Sequence, residues 1–475
     1  MDTNKNTSSD KDGKTNENGN DLKTHWGWVW SLVMAISLAR IGSGLFISIH
    51  GPTLLSLAEN VGEEVSTVSW LFAGRSAGVL AGGIATGFIM KRVNAVYSFG
   101  ATCFLLALMV TATPWVVDLW LLVIVVLIGG ITFGYLDAGM QALVLQIWGE
   151  EKSRPHIAAY HFTIAVGAFF APLIAQPFLE EQDQQEICPE DSDNCKIVQT
   201  IANNSTVPNY GSTDAETSGV NPIVWSYLIC GVVLVVVTII FVVLGLLKVE
   251  DRVRKTKDEV TEDREEEGVS RVLVLFILVC IYYFFCVAGE TAYQSYIYSV
   301  SICSELCFTP INGTWINSLY WLGFGSGRLV GIYLMTKFKP KTIIIVDLCG
   351  TIASMIIVCI FGEWVAGITW AVTFLFGFFQ ATIYPAGVSW TSQYTNMSGH
   401  YIFIFSAGQA LGSMILLPFG GFLFQLDPFN VMYLILGCTV SNAIFFGAMI
   451  IEAKRHHTKG GKTLEENDYF TETKM

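Results

Sequence analysis

Twelve apolar stretches of about twenty residues or more constrain this chain more than any other feature. They cover 27–49, 67–90, 95–116, 119–147, 157–179, 222–247, 271–300, 314–336, 342–361, 364–387, 398–424 and 428–451. About twenty apolar residues in a helix cross a bilayer core of roughly 30 Å. Inside that core only helices and closed barrels satisfy their own backbone hydrogen bonds. A barrel would read as alternating segments of about ten residues; these runs are continuous, so we expect an all-α membrane protein with twelve transmembrane helices. Hydrophobic residues are 52% of the chain and charged ones 14%, which excludes a soluble enzyme or a disordered regulator. A net charge of −13 opposes a nucleic-acid partner.

Charge in the connecting segments sets the orientation. With twelve spans both termini share one side. If that side is the cytoplasm, inner segments hold 23 Lys and Arg, the outer loops hold only Lys196, and Arg40, Arg75 and Arg328 lie within spans. This is the positive-inside pattern. The long outer loop 180–221 then carries sequons at Asn203 and Asn204 together with Cys188 and Cys195, and the loop after the seventh span carries Cys303, Cys307 and a sequon at Asn312. Glycosylation and disulfides belong in that compartment, and the sequence leaves the cysteine pairing open. Sequons at Asn6 and Asn396 fall inside and should stay bare. The expected organisation is a disordered cytoplasmic tail 1–26, a six-helix bundle 27–247, a charged cytoplasmic linker 248–270, a second six-helix bundle 271–452 and a cytoplasmic tail 453–475. No cleavable leader is visible, no metal cluster or cofactor is expected, and the plasma membrane is the expected location.

The two halves resemble each other. Gly74, Gly78 and Gly82 recur as Gly323, Gly327 and Gly331, 249 positions later. Gly134-Tyr-Leu-Asp137-Ala138 recurs as Gly377-Phe-Phe-Gln380-Ala381, 243 later, and Tyr160, Phe162, Gly167 and Pro177-Phe178 recur 241 later. Such an ordered set favours a six-plus-six duplication. Glycines four apart let helix backbones approach closely, either as static packing or as a sliding seam along which two halves rock.

An ionisable side chain at mid-membrane costs about 2.5–3.5 kcal/mol even on the lenient insertion scale, so each one needs a reason. Asp137 is alone in an otherwise uncharged run, with Met140, Gln141 and Val144 on its helical face. It reads either as a structural ion pair with Arg75 or Arg40, or as a cation or solute site. Glu290 is followed by Tyr293 and Gln294 at helical spacing, an acid, phenol and amide suited to a hydroxylated solute; an interhelical hydrogen bond is the plainer reading. Arg40 lies near mid-span and asks for an acid, whereas Arg328 lies closer to the inner end, where snorkelling is favoured. Asn317, Trp321 and Gln380 are further candidates for lining a cavity. No Walker A sequence, H-E-x-x-H or G-x-S-x-G is present, so neither ATP drive nor catalysis is expected.

Asp137-Ala-Gly139-Met-Gln141, Trp148-Gly149, Pro155-His156, Ala159-Tyr-His161-Phe162 and Gly167-Ala168-Phe-Phe-Ala171-Pro172-Leu173 together resemble the sodium-dependent glucose transporter (major facilitator domain-containing 4) family, in the fucose-permease-like branch of the major facilitator superfamily. Gly51-Pro52-Thr53-Leu54 and Gly289-Glu290-Thr-Ala-Tyr293 are similar to it too. The resemblance implies the major facilitator fold of two six-helix bundles and transport of a hexose or similar small polar solute, with Na⁺ as the coupling ion. It carries coupling or sugar binding onto Asp137 and a second acidic position onto Glu290. Met140 and Gln141 depart from that family's usual glycine and asparagine, and Lys91-Arg92 stand where an aspartate is usual. The expected account is a monomeric transporter whose solute meets Asp137, Gln141, Glu290, Tyr293, Gln294, Asn317, Trp321 and Gln380. Asp137 and Glu290 are the candidates for the coupling ion. Arg40, Arg75 and Arg328 gate or form ion pairs.

Overall fold

The computed structural model describes residues 11–179, 188, 221–249, 273–394 and 399–459; at 11–25, 150–155, 158, 399–404 and 456–459 it describes backbone only. The sequons at Asn6, Asn203, Asn204 and Asn396, Cys195 and nearly all of the linker 248–270 lie outside the described residues, as do most of the loop 180–221 and the tail from 460 onward.

Thirteen helices occur among the described residues: α1 Lys11–Ile49, α2 Leu54–Val61, α3 Val65–Val68, α4 Trp70–Ile89, α5 Ala95–Ala112, α6 Leu119–Ala175, α7 Ile223–Leu246, α8 Leu273–Cys303, α9 Pro310–Lys337, α10 Pro340–Phe361, α11 Ala366–Thr391, α12 Gly399–Leu426 and α13 Asn430–Lys459. Eleven segments are long and apolar enough to cross a membrane, one fewer than the twelve stretches expected. The missing one is 314–336. It is helical within α9, but Asn317, Ser318, Gly323, Gly325, Gly327 and Arg328 lower its apolarity. Local chemistry sets several boundaries. Asp118 caps α6 by accepting from the Leu121 amide at 2.9 Å, and Asn94 caps α5 by accepting from Tyr97 at 3.2 Å. α6 carries one span, Leu119–Gly149, and most of a second, Ala159–Phe178, which runs on into the 3₁₀ turn after it. The helix kinks at Gly149, the end of the first span, whose φ of 74° is in the left-handed region that glycine adopts freely.

The recurring glycines make recurring contacts. A Cβ on Gly82 would stand 2.0 Å from the Ile131 carbonyl oxygen, and one on Gly134 2.1 Å from that of Val79, so α4 and α6 touch backbone to backbone. A Cβ on Gly323 or Gly327 would stand 2.2 Å from the Phe374 or Phe378 oxygen, and one on Gly377 2.4 Å from that of Tyr320, the same contact between α9 and α11. Gly167 against Ile41 and Gly408 against Cys280 repeat a second pairing, α6 on α1 and α12 on α8. Each of these seams lies inside one bundle, α1–α7 or α8–α13. The alternative of a seam along which the bundles slide past each other is therefore not where these glycines stand.

The bundles meet at other residues. One end of the molecule carries the Cys188–Cys303 disulfide, which joins the loop after α6 to the end of α8 with Cα atoms 5.3 Å apart. Cys307 is also disulfide-bonded. At this disulfide end Tyr296 of α8 donates to the Leu417 carbonyl at 2.7 Å and lies 2.8 Å from Ser69 Oγ at the start of α4. A Cβ on Gly421 of α12 would stand 2.0 Å from the same Ser69 Oγ, and one on Gly51 2.8 Å from the Gln294 carbonyl. Ser318 of α9 donates to the Phe169 carbonyl of α6 at 3.0 Å. The opposite end, where Trp26 and Lys459 lie, is called the tail end below. Apolar side chains such as Ile239, Leu246, Val274 and Ile444 cover the outside of the bundles, as a lipid-facing surface requires.

Candidate functional site

The site is built from two clusters, one in each bundle. In the first, the Asp137 carboxylate of α6 lies 2.8 Å from Arg40 Nη1 of α1; the Arg40 side chain is 2% exposed and that of Asp137 34%. Nη1 does not point along the hydrogen-bonding direction, so attraction between the charges holds the pair. Tyr160, beyond the α6 kink, donates to the Asp137 carbonyl at 2.8 Å and approaches its carboxylate at 3.4 Å. The Arg40 guanidinium lies 4.4 Å from the Tyr160 ring centroid and 5.6 Å from that of Phe133, a cation–π seating that lowers the cost of burying the charge. Of the two partners open from sequence, Arg40 is the one that meets Asp137.

In the second cluster Glu290 of α8 is half-buried. It lies beside Gln380 of α11 and faces the Arg328 charge of α9. Gln380 also donates to the Cys286 carbonyl at 3.0 Å. Gln380 is the duplicate of Asp137, so the same place in each bundle holds a polar side chain. Arg328 does not snorkel to the membrane surface. It packs 5.0 Å from the Phe324 centroid and its charge meets Glu290, Tyr384 and Tyr320. His161 lies edge-on to Tyr160 and faces both Arg40 and Arg328, which links the clusters across the bundles.

The other predicted residues do not converge on these clusters. Tyr293 is buried within its own bundle, its hydroxyl 2.6 Å from Thr373 Oγ1 and its ring against Tyr320 and Phe376. Gln294 and Asn317 lie in the closed seam at the disulfide end: Asn317 Nδ2 donates to the backbone carbonyl of Gln294 at 2.9 Å, and neither residue is more than 3% exposed. Glu290 and Tyr293 both face α11, but more than a turn apart, at Gln380 and Thr373, and the side-chain oxygen of Gln294 is buried without a partner, so acid, phenol and amide do not form one site. Trp321 is buried with its Nε1 unpartnered. Gln141 is half-buried one turn beyond Asp137. Arg75 is buried on α4 and donates to the Ile47 carbonyl at 2.9 Å. Asn312 is exposed on the first turn of α9. Sequence reasoning missed the roles of Tyr160, Tyr296 and Ser69. Tyr160 stood inside the most distinctive motif, whereas nothing in the spacing around Tyr296 or Ser69 marks them. Among the described residues no three His, Cys, Asp or Glu side chains gather as a metal site.

The model of the Major Facilitator Superfamily matches residues 36–181, 217–404 and 279–472. The chain belongs to the Major Facilitator Superfamily. It is a multi-pass membrane transporter, not an enzyme. It is 30% identical to the sodium-dependent glucose transporter 1 of Danio rerio over 89% of this chain and 70% of that protein. It is also 30% identical to the sodium-dependent glucose transporter 1A of Mus musculus over 86% of this chain and 94% of that one. Identity to the major facilitator superfamily domain-containing protein 4A of Mus musculus is 22%, over 89% and 92%. Among solved structures the fold is similar to the inward-open xylose transporter XylE from E. coli, with a TM-score of 0.63 at 14% identity over 88% of this chain and 95% of that one. A bacterial homologue of the lysosomal transporter Spinster gives 0.59 at 10% identity, over 91% and 98%. The two-bundle fold expected from the sequence is the superfamily's fold.

Proposed function

We propose that this superfamily member is a secondary active transporter of a hexose or similar small polar solute, working by alternating access and coupled to Na⁺ at Asp137. The observation that carries the reading is the Asp137–Arg40 pair: a deeply buried cation whose carboxylate partner still exposes a third of its surface. A carboxylate placed so can attract a cation or accept from a hydroxyl. Its state of charge changes the cost of enclosing Arg40, and that couples binding to closure. Glu290, Gln380 and Arg328 face the solute from the second bundle. The names of the 30%-identical relatives support both the sugar and the sodium.

The disulfide end is the outer face in this reading, since disulfides form in an oxidising compartment and the Lys and Arg count puts the other loops inside. Asn312 is then a glycosylation acceptor on that face. The bundles are joined at the disulfide end, which fits an inward-facing state of a plasma-membrane monomer with both termini in the cytoplasm.

The test is uptake of radiolabelled glucose into cells displaying the chain, in sodium against choline buffer at fixed pH. Sodium-dependent accumulation above the outside concentration is expected. Equal uptake in both buffers would leave Asp137 as a structural partner of Arg40 in an uncoupled or proton-coupled facilitator. Absence of uptake with the protein at the surface would remove glucose as the solute.

A further inference from the structure

The first bundle encloses two arginines, and only one has a carboxylate. Arg40 has Asp137. Arg75 of α4 is 3% exposed and forms no ion pair among the described residues. One of its nitrogens donates to the Ile47 carbonyl at 2.9 Å, and its guanidinium carbon lies 5.0 Å from the Phe72 centroid. A guanidinium has five N–H donors. Nε and Nη2 have no hydrogen-bond partner among the described residues, yet neither is among the fully enclosed unsatisfied atoms. They therefore keep a small accessible surface, in line with the 3% exposure of the side chain.

The groups around Arg75 do not cancel its charge. Its ionisable neighbours are the phenols of Tyr296 and Tyr227 and the imidazole of His50. The two hydroxyls are engaged elsewhere, Tyr296 with Leu417 and Ser69, Tyr227 with Thr53 at 2.7 Å. His50 Nδ1 lies 2.8 Å from the Phe46 carbonyl oxygen, so Nδ1 carries a proton, and Nε2 is buried and unpartnered, so the ring offers Arg75 no negative charge. The other lone membrane charge, Asp347, is hydrogen-bonded to Thr382 where α10 meets α11 in the other bundle. A buried cation without a counter-charge is among the most expensive groups a membrane protein can hold, and such groups are normally paired.

We propose that Arg75 anchors an anion subsite between α1, α4 and α8 that takes one small monovalent anion, either inorganic chloride or a carboxylate on the solute. Phe72 and the Tyr296 ring, packed edge-on to each other with centroids 5.7 Å apart, form one wall of the subsite, and the Tyr296–Ser69 contact roofs it at the disulfide end. The anion enters when that roof opens and is enclosed when it closes. The carboxylate source rests on the transport reading above; the binding test does not.

The test is thermal unfolding of the purified full chain, followed by tryptophan fluorescence, at constant sodium and ionic strength. Methanesulfonate, a bulky and weakly coordinating anion, is replaced stepwise by chloride in one series and by glucuronate in another, with neutral glucose as a control. Anything that binds the folded state alone raises the unfolding midpoint, and above its dissociation constant the rise grows with the logarithm of its concentration, so the midpoints yield an apparent Kd. A rise with chloride identifies the inorganic ion; a rise with glucuronate that glucose does not give identifies the solute carboxylate. Arg75→Gln is expected to abolish the response, and Arg75→Lys, which keeps the charge but loses the fork, to weaken the apparent Kd at least tenfold. No rise with either anion in the wild type overturns the proposal, as does an unchanged response in Arg75→Gln. If the Gln variant does not fold, an unchanged apparent Kd in Arg75→Lys overturns it equally.

Discussion

Asp137 concentrates the account at the scale of single residues. Removing one partner of a fully buried ion pair costs about 3–5 kcal/mol because the other charge is left alone. Asp137 is a third exposed, so water screens part of that loss. Asp137→Asn is expected to destabilise the chain by about 1–3 kcal/mol in detergent unfolding and to remove concentrative uptake. Full concentrative uptake in that variant would end the coupling role. Tyr160→Phe keeps the ring under Arg40 and loses only the hydroxyl on the Asp137 carbonyl. It should cost about 0.5–1.5 kcal/mol and lower uptake far less than Asp137→Asn does. The sequence made Asp137, Arg40, Glu290 and Arg328 legible as membrane charges that need partners. It could not show that Tyr293 turns to Thr373, or that Asn317 turns to the backbone carbonyl of Gln294. Those choices depend on which helix stands opposite, and helical spacing carries no information about the neighbour.

At the scale of elements, glycine separates close packing from mere tolerance. On α4, a Cβ at Gly82 would overlap the Ile131 carbonyl of α6, whereas a Cβ at Gly83 would meet nothing within 4 Å. Gly82→Ala should therefore cost about 1–3 kcal/mol by forcing the helices apart. Gly83→Ala should be neutral or stabilise the helix by up to about 1 kcal/mol. Thermal unfolding of the two variants side by side checks this, and equal losses would contradict the backbone contact. Most helices could be read from the apolar runs, because a bilayer demands them. The helix at 314–336 is the weakest of them by composition, since its glycines and polar side chains serve contacts with other helices. The Cys188–Cys303 bond was not legible, because two residues separated by 115 positions are brought together by the fold alone.

For the whole molecule, the question is whether the two bundles exchange which end is closed. The closure at the disulfide end depends on Gly421, where any Cβ would displace Ser69 Oγ and with it the Tyr296 contact. Gly421→Val is expected to loosen that end, so that thiol reagents reach Ser69→Cys faster than they do with Gly421 intact; an unchanged rate would place the closure elsewhere. The most direct test of the central claim uses pairs of spin labels across the bundles. One pair, Glu63→Cys with Asp427→Cys, reports the disulfide end; the other, Arg92→Cys with Lys337→Cys, reports the tail end. All four positions are exposed, and the exposed native thiol of Cys349 is replaced by serine. Distances are measured with sodium, with sodium plus glucose, and with neither. The account predicts two populations for each pair that shift in opposite senses, one end lengthening as the other shortens. A single unchanging distance at both ends under all three conditions would contradict it.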